Sequence, residues 1–141
     1  MKIAIASDHG GYNLKNNLYN YFKENYEIID LGTNSEASCD YPDYAKKVVE
    51  AIIKKGFDRG ILVCGTGIGM AICANRYKGI RAANASDTYS AKMSRLHNNS
   101  NILTLGERVI GFGLAKDVVD IWLKTEFEGG RHQKRVDMFD K

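Results

Sequence analysis

The chain has 141 residues, 44% of them hydrophobic and 26% charged, which is the balance of an ordinary globular protein. At that length we expect one domain, residues 1–141, that buries roughly two-thirds of the surface its unfolded chain exposes and needs no disulfide or metal to hold a core. A net charge of +3, from 20 Lys+Arg against 17 Asp+Glu, is too mild to call for a nucleic-acid partner. No apolar run approaches the ~20 residues of a membrane span. The three cysteines, Cys39, Cys64 and Cys73, are an odd number without a secretory signal, so free thiols in a reducing cytoplasm are the expectation.

Lys2–Ala6 is a short, nearly all-apolar run closed by Ser7-Asp8-His9-Gly10-Gly11, as suits a strand buried on both faces. Leu14, Leu18, Tyr21 and Phe22 then recur at helical spacing, and residues 27–31 form a second strand before Gly32. Residues 33–43 are polar, hold the only proline, Pro42, and read as a long loop. Ala45, Val48, Val49, Ile52 and Ile53 mark a second helix. Residues 60–64 are a third strand, followed by the glycine turn Gly65-Thr66-Gly67-Ile68-Gly69 and a helix from about Ile68. A fourth strand covers 80–84, and Asp87 caps a helix running to about Leu96. The fifth strand is 102–105, and Leu114, Val118, Val119, Ile121 and Trp122 stripe a last long helix. A basic tail containing Arg131, His132 and Arg135 follows the break at Gly129-Gly130. Alternating strands and helices give a doubly wound, Rossmann-like α/β fold with a five-stranded parallel sheet and helices on both faces.

In such folds ligands bind beyond the carboxyl ends of the strands. Two chemically rich segments fall there: Asp8-His9 and the turn from Cys64 to Gly69. The glycines expose N–H groups beside a helix start, an arrangement that attracts phosphate or a developing oxyanion. The turn is neither a P-loop nor a dinucleotide fingerprint, and the lesser alternative is a tight strand-to-helix connection without a ligand. Cys64, facing that helix start, has the setting of a thiolate, against the alternative of a buried core cysteine. Cys73, in an apolar stretch, fits the core alternative, and Cys39 has no evident role. Asp8-His9 reads evenly as a helix cap or as part of a site. His97 could simply complement the dipole of the helix before it. If the tail is helical, Arg131 and Arg135 share a face and could grip one phosphate, although a solvated tail is the more usual outcome. Metal ligation is not expected, because no Cys or His pair shows ligand spacing.

Taken together these segments resemble the type B ribose-5-phosphate isomerase family, which includes allose- and galactose-6-phosphate isomerases. The matching stretches are Ser7–Gly11, Asp40-Tyr41-Pro42, Cys64–Gly69, Gly79–Ala82, Ser94–Asn98, Gly106–Val109 and Glu128–Gln133. The resemblance implies an aldose–ketose isomerase without cofactor or metal. It implies Cys64 as the base moving a proton between C1 and C2, with Thr66 supporting it and the backbone of Gly65, Thr66, Gly67, Ile68 and Gly69 holding the enediolate oxygens. It further implies His97 as the residue that opens the sugar ring, Asp8 and Asn98 on the sugar, and His9, Arg108, Arg131 and Arg135 mostly on phosphate. One branch of the family carries a glutamate base at the position of Ile68, which here is aliphatic, so the chain is similar to the thiol branch.

Strand order adds an expectation of its own. Cys64 ends a strand, whereas His97 precedes one, so in a parallel sheet they lie at opposite edges. Both can serve one pocket if a homodimer shares its sites across a two-fold interface, as the family's enzymes do; pairing into tetramers is left open. The rival readings are a hexose-6-phosphate isomerase and a non-catalytic phosphosugar-binding protein.

Overall fold

The computed structural model describes residues 1–141. In chain order it contains β1 (Lys2–Ser7), a 3-10 turn (His9–Gly11), α1 (Tyr12–Phe22), β2 (Glu27–Asp30), α2 (Tyr41–Lys55), β3 (Arg59–Cys64) and α3 (Ile68–Ala74). It continues with β4 (Ala82–Asn84), α4 (Thr88–Leu96), β5 (Ile102–Gly106), α5 (Phe112–Lys124) and α6 (Arg131–Val136). The five strands form one sheet in the order β2-β1-β3-β5-β4, and every neighbouring pair is parallel. This is the expected doubly wound α/β architecture.

The three central strands are apolar along almost their whole length because both of their faces are covered. Ile3, Ile5, Ile61, Val63, Leu103 and Leu105 pack against α1, α4 and α5. On the other face, Ala4, Ala6, Leu62, Cys64 and Ile102 meet α2 and α3. From β1 the sheet extends to β2 on one side and to β3, β5 and β4 on the other, so the winding reverses between β1 and β3. The loops leaving these two strands carry Asp8-His9 and the Cys64 turn. The topology therefore places them side by side, at the switch point where such folds bind ligands.

Two expected boundaries move. The loop expected over 33–43 is shorter, because α2 begins at Tyr41 with Pro42 in its first turn. Proline suits that place, since an N–H there has no partner inside the helix. The tail is not irregular either: residues 131–136 form α6, entered through Gly129 and Gly130, both with positive φ. No helix is long and apolar enough to cross a membrane.

Candidate active site

The carboxyl edge of the sheet holds the first cluster. Cys64 is the last residue of β3 and is 5% exposed. Its Sγ accepts a hydrogen bond from the N–H of Gly67 at 3.1 Å. Gly67 has φ +81°, a left-handed conformation that turns its amide back toward the sulfur. The hydroxyl of Thr66 accepts from the N–H of Ile68 at 3.2 Å. Thr66 therefore braces the turn, while the donor on sulfur is Gly67. The amides of Gly65, Thr66 and Gly69 make no hydrogen bond within the chain, and those of Thr66 and Gly69 flank the start of α3. Such an array of N–H groups suits an anionic oxygen. Gly69 has its own reason to be glycine, since a Cβ there would meet the Tyr41 ring at 2.8 Å.

Asp8 is buried beside this turn. Its N–H donates to the carbonyl of Val63 at 3.2 Å, and its Oδ1 accepts from Gly10 at 2.9 Å. Capping and site membership are thus compatible for Asp8. The backbone N–H of Cys39 donates to His9 Nδ1 at 3.2 Å. A backbone amide can only donate, so Nδ1 is the acceptor and the neutral ring carries its proton on Nε2. Cys39, which had no evident role in the sequence, orients His9 through its main chain. That contact joins two loops and leaves no local sequence signal.

Arg108 completes this edge. Glu107 N–H donates to the Cys64 carbonyl (2.9 Å), and Arg108 N–H donates to that of Gly65 (3.1 Å). The Glu107 carboxylate accepts from Leu14 N–H at 2.6 Å, in the first turn of α1, where negative charge suits the helix dipole. The ends of β3 and β5 and the first turn of α1 are tied together by these contacts. The Arg108 guanidinium passes about as close to Gly65 as a Cβ there would allow, 3.4 Å from Nη1.

The second cluster lies at the other edge. His97 follows α4 and precedes β5, whose Ile102 pairs with Gly60 while its Gly106 pairs with Cys64. The length of β5, about 13 Å at ~3.3 Å per residue, therefore separates the two ends. The His97 ring stacks on that of His132, centroids 4.3 Å apart and planes at 16°. His132 was not among the expected site residues. Burial, then the neighbouring His97, Arg131 and Arg135, lower its pKa, with Glu128 opposing them. Asn98 is exposed on a cavity shared with Arg81, Ser100 and Asp140. Arg131 and Arg135 are exposed on α6, one turn apart, with Arg135 Nη1 donating to the Arg131 carbonyl at 3.2 Å. The expected site residues therefore fall into two groups. Asp8, His9, Cys64–Gly69 and Arg108 lie at one edge, and His97, Asn98, Arg131 and Arg135 at the other.

Comparison with known proteins gives these groups a context. Residues 3–139 match the family model described as Ribose/Galactose Isomerase. A solved structure of ribose-5-phosphate isomerase B from Clostridium thermocellum is 56% identical; the match covers 97% of this chain and 93% of that one, with a TM-score of 0.95. The ribose-5-phosphate isomerase B of Escherichia coli is 49% identical, across 96% of this chain and 92% of its own length. The D-erythrulose-4-phosphate isomerase of Pectobacterium atrosepticum is 43% identical, across 97% and 91%. A family model spanning nearly the whole chain, with relatives this similar, identifies the chain as a member of the Ribose/Galactose Isomerase family and an isomerase of sugar phosphates.

Proposed function

We propose that this enzyme interconverts ribose 5-phosphate and ribulose 5-phosphate, in the cytoplasm, as a step of non-oxidative pentose phosphate metabolism. The observation that carries the chemistry is Cys64 Sγ held by the Gly67 amide, with partner-free amides in the same turn. His97 shuttles protons as the furanose ring opens. The Cys64 thiolate then takes the C2 proton of the open aldose and returns it to C1, while the C2 hydroxyl proton passes to the C1 oxygen. Negative charge grows on the carbonyl oxygen meanwhile, and the Gly65, Thr66 and Gly69 amides receive it; one such donor is worth about 3 kcal/mol of barrier. Asp8 and Asn98 hold the sugar hydroxyls. His9, Arg108, Arg131 and Arg135 bind phosphate.

Because His97 and Cys64 stand at opposite edges, we further propose a homodimer in which each pocket joins one subunit's Cys64 edge to its partner's His97 edge. Arg108 then comes with the thiol, and Arg131 and Arg135 come with the histidine.

The test is turnover by the purified enzyme and its Cys64→Ala variant. A positioned acid or base contributes about 10²–10⁴-fold, so a loss of that size is expected when turnover is measured well below the variant's melting temperature. Undiminished turnover by Cys64→Ala would refute the mechanism. The relative named for a four-carbon ketose phosphate supports a second reading, in which pocket depth rather than the shared motifs sets the substrate. Comparing ribose 5-phosphate with erythrulose 4-phosphate and allose 6-phosphate decides it, and a clear preference for either of the latter overturns the pentose assignment.

A further inference from the structure

Beyond its part in the proposed site, the His97 edge has a chemical character of its own. His97 ends α4 and His132 lies in the first turn of α6, yet their rings are stacked. A third donor is fixed beside them: the N–H of Glu128 donates to the carbonyl of Leu96 at 3.1 Å, pinning the turn before α6 to the end of α4. The Glu128 carboxylate reaches to 3.9 Å from His132 Nε2. One donor atom from each of His97, Glu128 and His132 lies within 4.8 Å of the others. His132 is 7% exposed, and its buried Nε2 has no hydrogen-bond partner. A buried ring nitrogen left without a partner is uncommon, and this one points into a cluster of donors.

Two imidazoles and a carboxylate, with a fourth position open, are the donor set of a zinc-class ion. Ligands about 2.0–2.2 Å from a tetrahedral ion stand roughly 3.4 Å apart. The Glu128–His132 pair, at 3.9 Å, is already close to that spacing. Closing the widest separation, up to 4.8 Å, takes about 1.4 Å of side-chain movement, and the half-buried His97 ring must also turn out of its stack on His132 so that both in-plane lone pairs meet the ion. Calcium and magnesium, which prefer oxygen ligands, do not fit a nitrogen-rich set flanked by Arg131 and Arg135.

We infer that His97, Glu128 and His132 form a binding site for a divalent transition-metal ion of the zinc class, and that an ion held there inhibits the enzyme reversibly by occupying His97. The binding half stands on the donor set, its spacing and the unpartnered Nε2. The inhibitory half rests on the proposed role of His97 in ring opening.

The experiment is equilibrium dialysis of chelator-treated enzyme against Zn²⁺, with metal analysis, for the wild-type chain, His132→Ala and Glu128→Gln. Partners one shell further from a metal are commonly worth 10–100-fold in affinity, so losing a direct ligand should cost at least roughly 100-fold. One tightly bound ion per wild-type chain, weakened to that degree in both variants, is the expected result. Glu128 is exposed, so Glu128→Gln keeps the test open if His132→Ala does not fold. No binding by wild type, or equal binding by the variants through the free thiols, overturns the site. Turnover with and without Zn²⁺ reads the second half: inhibition that a chelator reverses and Glu128→Gln relieves is expected. Binding at the site with turnover unchanged overturns the inhibitory claim and the role of His97, and leaves the metal site standing.

Discussion

Adding one methyl group at Gly67 attacks the geometry on which the proposed chemistry rests. Gly67 combines φ +81° with a Cβ position that would lie 2.5 Å from Asn84 Oδ1 and 2.9 Å from the Leu105 carbonyl carbon. The left-handed conformation alone costs an L-residue about 1–2 kcal/mol. Forcing extra volume against fixed backbone adds roughly 1–3 kcal/mol, and the Leu105 main chain, in the middle of the sheet, cannot give way. Gly67→Ala should therefore destabilise by about 2–5 kcal/mol, a fall of roughly 7–17 °C in melting temperature for a chain of this size. Relief comes most easily by moving the turn, which takes the Gly67 amide away from Cys64 Sγ and spreads the neighbouring amides. Removing one preorganised donor lowers kcat by about 10²-fold or more. The assay is thermal unfolding followed by isomerase kinetics well below the new midpoint. Gly113→Ala is the control: its Cβ meets nothing within 4 Å, and helix propensity should leave stability unchanged or raised by up to about 1 kcal/mol. A Gly67→Ala enzyme that melts like wild type and keeps its kcat would refute the argument.

Glu107→Ala removes the carboxylate that receives the Leu14 amide and should cost about 1–2 kcal/mol of stability. With Arg108 next in the chain, it should also raise KM for the phosphosugar more than it lowers kcat; unchanged melting and KM would show that the loop is held without it. Asp87 accepts a hydrogen bond from Ser90 N–H at the start of α4, and this bond holds its carboxyl below its ordinary pKa of 3.8. Its contribution is present above that value and lost as pH falls through the lower folded-state pKa. Asp87→Asn keeps a cap oxygen but cannot titrate. The stability gap between wild type and variant should therefore shrink as pH falls below about 4 in urea titrations, and a constant gap would contradict the assignment.

The central sheet was legible because β1, β3 and β5 are continuous apolar runs, which only strands covered on both faces require. The start of α2 was not, since Tyr41-Pro42-Asp43 precede its apolar stripe; proline in a first turn was the one available signal. Helix α6 carries a run of polar and basic side chains with no apolar period. It is held by contacts that chain position does not announce: a glycine turn docked on Leu96 and His132 stacked on His97. Within the site, Cys64 and its glycine turn could be read directly, because strand end, thiol and helix start are consecutive. The opposite placement of His97 followed from strand polarity alone. The seating of His9 by Cys39, and the membership of His132 in the second cluster, depend on loops meeting across the fold.

The separation of the two clusters by the length of β5 has a consequence for how such an enzyme can diverge. In the shared-pocket reading, a subunit is two half-sites facing away from each other, each built on its own loops: the β1, β3 and β5 exits on one side, the α4 end and α6 on the other. No side-chain hydrogen bond or ion pair runs between the catalytic groups of the two halves. After a gene duplication, one copy could keep only the thiol half and the other only the histidine half, and a mixed pair would still assemble a complete pocket. A self-sufficient homodimer built this way already contains the plan of a two-chain enzyme.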